Sequence, residues 1–245
     1  MKVQNCYWGN PKKSDYDLIL DYYSATKINS IQTSSVPLAQ YWKNTDRALE
    51  KVAKALGLQV EVADVYFEYP TKSSKSNKAS MSDVMIITEN SKIAIEAKYT
   101  EYAKIKYETI NDWLKKGNNK NKIDVLEHWK NIVSTFSNLD LNNLQNLPYQ
   151  FLHRSASACF ENPGTAFVMF QLFWDDKTSA NLKIFINDIK KYVDIINPMP
   201  KLNYYIHTIE ITNCKIIDKN DVFQKIKDDD VYSFGKEEFI KILST

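Results

Sequence analysis

The stretch from Ser82 to Tyr99, SDVMIITENSKIAIEAKY, sets two short β-branched apolar runs, 84–87 and 93–97, around a polar segment. Runs of that length and composition, with Glu89, Asn90, Ser91 and Lys92 between them, predict a β-hairpin. Closing it at Asn90 pairs positions whose numbers sum to about 180, which brings Asp83 opposite residues near Ala97. The period-2 pleat puts Glu96 and Lys98 on one face of the second strand. Two carboxylates and an amine therefore converge at one end of a sheet.

That trio suits phosphodiester hydrolysis. Asp83 and Glu96 offer hard carboxylate oxygens to Mg²⁺, for which Mn²⁺ can substitute, and substrate phosphate, water and the Ala97 carbonyl can complete the shell. Lys98 beside an attacking water can lower its pKa or stabilise the negative charge that develops on phosphorus. In these residues, Ser82-Asp83 followed by Glu96-Ala97-Lys98, the chain resembles the restriction-endonuclease-like, or PD-(D/E)XK, nuclease superfamily. Ser82 stands where the motif name has proline, a position often substituted in that superfamily.

Acid-x-Lys occurs three times, at Glu96-Ala97-Lys98, Asp175-Asp176-Lys177 and Asp188-Ile189-Lys190. The second falls in a turn and the third in a predicted helix. Only the first ends an apolar strand that follows another strand bearing an aspartate. An ordinary hairpin with a surface Glu–Lys pair would draw at most about 1 kcal/mol from it.

The order of elements agrees. A helix is expected from Pro37 to Gly57, with Leu38, Tyr41, Trp42, Thr45, Leu49, Val52, Ala53 and Leu56 on one stripe. A strand over 59–69, the Lys- and Ser-rich loop 71–80 and the hairpin follow. A polar region reaches about Lys122, and helices are expected over 123–136 and 147–160. The continuous apolar run 166–174 reads as a buried central strand. A helix over 179–196, a strand over 204–212 and a short helical segment close the chain, and a short helix over 14–23 precedes it all.

The expected fold class is therefore α/β: a core of helix, three-strand meander, helix and parallel strand over about 37–174, with further N- and C-terminal elements. This is the core order of the resembled superfamily. With 245 residues, 44% of them hydrophobic, the chain is read as one domain over 1–245, with 175–245 as a C-terminal extension.

Additional site candidates lie on helices. Asp46 and Glu50 share a flank of the first long helix at i and i+4, and the resemblance implies an acidic residue from that helix, Glu50 before Asp46. On the helix before the central strand, Arg154 is one of only two arginines against thirty lysines. Arg154 could clamp a phosphate and Gln150 could orient it. His153 is a weaker candidate. His128 and His207 lack partners at ligand spacing and read as core or surface residues, and Glu101 reads as a surface charge.

From Thr71 to Lys122 there are eleven lysines against six acids. Lys72, Lys75, Lys78, Lys115, Lys116, Lys120 and Lys122 could supply sequence-independent contacts to DNA phosphates. A Lys-favouring codon composition explains any single one equally well. Cys6, Cys159 and Cys214 have no CxxC spacing, so neither zinc nor a disulfide framework is expected, and a cytoplasmic setting fits. No apolar run is long enough for a membrane span.

The resemblance thus implies a Mg²⁺-dependent endonuclease acting on DNA, in bacterial restriction or defence, with room for a homodimer. Two alternatives remain: a repair, recombination or mobile-element nuclease of the same fold, and a non-catalytic nucleic-acid or protein binding module with a vestigial site.

Overall fold

The computed structural model describes all residues except 10–11, 27–30, 60–61, 76–78, 104–107, 117–118, 140, 163, 216–221 and 245. It is an α/β fold built on one mixed sheet of eight strands in the order β2-β1-β3-β4-β5-β6-β7-β8. The strands are β1 (Lys2–Trp8), β2 (Lys12–Lys13), β3 (Val62–Lys72), β4 (Ala79–Ile87), β5 (Ser91–Lys98), β6 (Thr165–Trp174), β7 (Leu202–Cys214) and β8 (Tyr232–Ile242). The expected meander is β3-β4-β5, antiparallel throughout, and β6 returns parallel to β5 after helical segments.

One face of the sheet is covered by helices α1 (Tyr16–Thr26), α2 (Ser35–Tyr41), α3 (Thr45–Leu56) and α8 (Val222–Asp228). On the other lie α5 (Asn119–Ser134), α6 (Tyr149–Cys159) and α7 (Ser179–Ile196), with the short α4 (Ile110–Lys115) beside them. Alternation along β5 divides the two cores: Ile93, Ile95 and Ala97 pack under α3, whereas Ala94 packs under α6. Each fully buried Leu, Ile or Phe in these layers contributes about 1.5–3 kcal/mol.

Several sequence expectations are revised. The single helix over 37–57 is two, because the Asn44 side chain accepts from Arg47 N at 3.0 Å and starts a new helix. The Trp42 indole, held by Gln171 at 3.1 Å, fixes the break, and Gly57 ends α3 at φ 67° as anticipated. The polar region before Lys122 contains α4, whose Thr109 and Asp112 form a reciprocal cap.

The short helical segment expected after the 204–212 strand is α8, and an unexpected strand, β8, follows it; at the other end β1 runs parallel to β3. Within the hairpin the register is Val84↔Ile95 through Ile87↔Lys92, summing to 179. Carried one step on, it sets Asp83 against Glu96 itself, one residue away from the pairing with Ala97 that closure at Asn90 gave.

Helix α6 sits close to the sheet, against β4, β5 and β6. Ala156, Ser157 and Ala158 are almost fully buried there, and so small a surface is what permits the approach. Ser155 anchors the helix through its hydroxyl, 2.8 Å from Tyr192 Oη and 2.9 Å from Tyr204 Oη.

Candidate active site

Asp83 on β4 and Glu96 and Lys98 on β5 come together at one end of these two strands, with Glu96 reached by Arg154 from α6. Lys98 Nζ donates to Glu96 Oε1 at 2.6 Å, and Ala97 N donates to Asp83 Oδ2 at 2.7 Å. From α6, Arg154 Nη2 donates to Glu96 Oε2 and Nη1 donates to Ser82 Oγ. The side chains of Glu96, Lys98 and Arg154 are only 6%, 13% and 3% exposed. Glu96 therefore meets a cation at each oxygen, in a setting where water screens little.

The electrostatics follow from this placement. Burial alone would raise the Glu96 pKa, but Arg154 and then Lys98 outweigh it and hold it down at about 2. Burial pushes Asp83 the other way, helped by Glu96 and by Glu68, up to about 7. For Lys98, burial favours the neutral amine, yet Glu96 and Asp83 dominate and raise its pKa, so it is an ammonium. His153 is driven down to about 3 by burial and by Arg154, and the neutral ring bonds Ser80 Oγ at 2.7 Å.

Two of the residues gathered here, Ser80 and Glu68, carry no sequence motif. Ser80 and Ser82, two apart on one strand face, receive His153 and Arg154, adjacent on α6. Glu68 on β3 is buried with φ 53°, a left-handed conformation that costs on the order of 1 kcal/mol for a residue with a Cβ. The register Phe67↔Val84 and Tyr69↔Ser82 sets Glu68 opposite Asp83. The signal available in the sequence was that same register, counted across a second pair of strands.

The remaining candidates separate from the cluster. Gln150 is exposed in the first turn of α6, and no hydrogen bond joins it to Asp83, Glu96 or Lys98. Glu50 is exposed on α3, and Asp46 accepts from Val3 N at 2.8 Å, tying α3 to β1. Both stand on the opposite face of the sheet, and the charges that act on Asp83 are Glu96, Glu68, Arg154 and Lys98. Glu101 accepts from Ser34 and from Tyr99 N rather than standing free at the surface.

His207 is fully buried in β7 and bonds Glu237 at 2.8 Å, as befits a core residue. His128 is half-buried on α5, where burial and Lys75 lower its pKa. Lys72, Lys75, Lys115, Lys116 and Lys120 are exposed, with Lys116 2.8 Å from Glu108. Lys122 turns back to the Trp113 and Lys116 carbonyls, and Lys78 lies outside the described residues.

A cleft of about 1080 Å³ opens on the α3 face, lined by Tyr41, Arg47, Lys51, Tyr232, Phe234 and Glu237 among others. Glu237 there accepts from Tyr41, Lys51 and His207, so its charge is already answered within the protein. Those partners hold its pKa down at about 2, whereas Asp83 is pushed up to about 7, and an acid raised into that range is the better mark of chemistry than volume.

The donor set suits Mg²⁺ better than a softer metal. Asp83 Oδ2 is used by Ala97 N, while Oδ1 takes no hydrogen bond among the described residues, and burial, then Glu96 and Glu68, push its pKa up against the pull of Arg154 and Lys98. The described residues hold no group of three or more His, Cys, Asp or Glu side chains placed around one ion. A pair of carboxylates that leaves the rest of the shell to water and substrate oxygens is the usual manner of binding Mg²⁺.

A family model described as Domain of unknown function (DUF6946) matches residues 11–218. No curated protein and no solved structure matches the chain. No helix among the described residues is long and apolar enough to cross a membrane.

Proposed function

We propose that this chain, which belongs to the DUF6946 family, is a Mg²⁺-dependent endonuclease that hydrolyses DNA phosphodiester bonds on a restriction-endonuclease-like core. The observation that carries the reading is the register setting Asp83 against Glu96, with Lys98 two residues on and hydrogen-bonded to Glu96. The order of helices, three-strand meander, further helices and parallel strand around it supports the reading.

Asp83 and Glu96 would hold the ion. Bound Mg²⁺ supplies Lewis-acid polarisation of a phosphoryl oxygen and a more acidic water. Lys98, kept protonated by its acidic neighbours, donates to the oxygens that gain charge as phosphorus is attacked. Neutral His153 orients Ser80 and adds no charge. The exposed lysines at 72, 75, 115, 116 and 120 bind the DNA backbone without reading sequence. The resemblance implies a setting in bacterial restriction or defence, with room for a homodimer.

A competing reading, a binding module with a vestigial site, draws on Glu96 being committed to Lys98 and Arg154 at both oxygens. Cleavage assays separate the two. With Mn²⁺ present, Lys98→Ala abolishes cleavage while DNA affinity changes by no more than about threefold, because the loop lysines share the binding. A wild type that binds but never nicks linear, supercoiled or single-stranded DNA under those conditions establishes the binding module.

A further inference from the structure

Arg154 is placed like a strut. Its side chain is 3% exposed, one terminal nitrogen is spent on Glu96 Oε2 and the other on Ser82 Oγ. Ser82 is itself completely buried and immediately precedes Asp83. The guanidinium thus joins β5 at Glu96 to β4 beside Asp83, the two strands that carry the acidic pair. Its remaining donor, Nε, is buried without a partner among the described residues. A phosphate clamp needs a fork turned to solvent with both tips available, and this fork has neither.

The serine also gives a reason for the departure at this position. A proline before Asp83 has no hydroxyl and could not receive Arg154. Ser82 is therefore one half of a contact whose other half is one of the chain's two arginines.

We infer that Arg154 and Ser82 are positioning residues for the cation site: they fix the Glu96 carboxylate so that it presents Oε1 alone to a divalent ion. Oε1 is the oxygen held by Lys98 at 2.6 Å. Arrival of the ion then displaces Lys98 from Glu96 and leaves Arg154 in place, so that ion binding and release of the Lys98 ammonium toward substrate are one event. The inference rests on the proposed metal-dependent reading, and it assigns Arg154 to the metal side of the site rather than to the DNA.

The test measures Mn²⁺ affinity by electron paramagnetic resonance, and DNA affinity in EDTA, for the full chain as wild type, Arg154→Met, Arg154→Lys and Ser82→Ala. Arg154→Met should weaken Mn²⁺ binding by at least about tenfold, the usual cost of losing a partner of a metal ligand. Ser82→Ala should weaken it less, and Arg154→Lys should fall between, since a point charge replaces a fork. DNA affinity in EDTA should stay within about threefold in all three.

Circular dichroism confirms that each variant is folded. Ser82→Ala, the smallest change, carries the test if Arg154→Met does not fold. Mn²⁺ binding unchanged in the folded variants overturns the inference, as does a loss confined to DNA affinity, which would restore the phosphate clamp. A wild type that binds no Mn²⁺ overturns the metal-dependent reading itself, an outcome distinct from either.

Discussion

Asp83 and Glu96 are chemically alike and face each other across one register step, yet their environments drive them apart. Glu96 has two cations on it; Asp83 has a backbone amide and two neighbouring acids. Because Asp83 has a folded pKa of about 7, far above its ordinary value, the native state binds that proton more tightly than the unfolded chain. Its contribution to stability is complete below about pH 4 and is lost as pH rises through about 7.

Asp83→Asn, which cannot ionise, should therefore melt at about the wild-type temperature near pH 4. In EDTA near pH 8 it should be more stable by on the order of 1–4 kcal/mol. Saturating Mg²⁺ should remove that advantage by stabilising the wild type. Calorimetry across this range checks the prediction, and parallel curves for the two proteins contradict it.

This residue-level behaviour was only partly legible. The spacing of Glu96 and Lys98 and the hairpin were written in alternating apolar residues. Glu68 was not, because its role depends on how β3 registers against β4 and on a single left-handed residue that no local pattern announces. Arg154 stood out by rarity alone, and its partners could be found only once α6 was docked.

At the scale of elements, β4, β5, β6 and α6 make the site, and their fit is tight where β6 enters. A Cβ at Gly164 would lie 1.9 Å from the Asn90 carbonyl oxygen in the β4–β5 turn. Thr165 N donates to that same carbonyl at 2.9 Å. Gly164→Ala must push the turn away from β6. It should destabilise the protein by at least about 2 kcal/mol, since the obstacle is backbone and cannot rotate aside. Thermal melts measure this, and a change below about 0.5 kcal/mol would show that the turn yields freely.

The elements read correctly from sequence were those with a strong period or an unbroken apolar run, such as α7 and β6. The break between α2 and α3 was hidden because Asn44 and Thr45 interrupt the helix without disturbing the apolar stripe. Capping chemistry there overrides periodicity.

Across the whole molecule, the eight-stranded sheet separates two faces with different tasks. The α3 face holds a wide cleft whose Glu237 is satisfied within the protein, while the ends of β4 and β5 beside α6 hold the strained and titratable cluster. Strands β1 and β8 widen the sheet beyond the expected core. Neither was foreseen, since β1 mixes polar and apolar residues along its length and β8 carries Lys236, Glu237, Glu238 and Lys241 along an edge. Charge on an edge strand discourages unwanted pairing and also masks the strand in the sequence.

The central claim is that the ends of β4 and β5 beside α6 are built to take a divalent cation between Asp83 and Glu96. A crystal soaked in Mn²⁺ and measured at the manganese absorption edge tests it most directly. The account predicts one anomalous peak about 2.1 Å from oxygens of both Asp83 and Glu96. It also predicts that Lys98 has left Glu96 and that Arg154 still holds it. A crystal with no peak there, and with the Lys98–Glu96 pair intact, would contradict it.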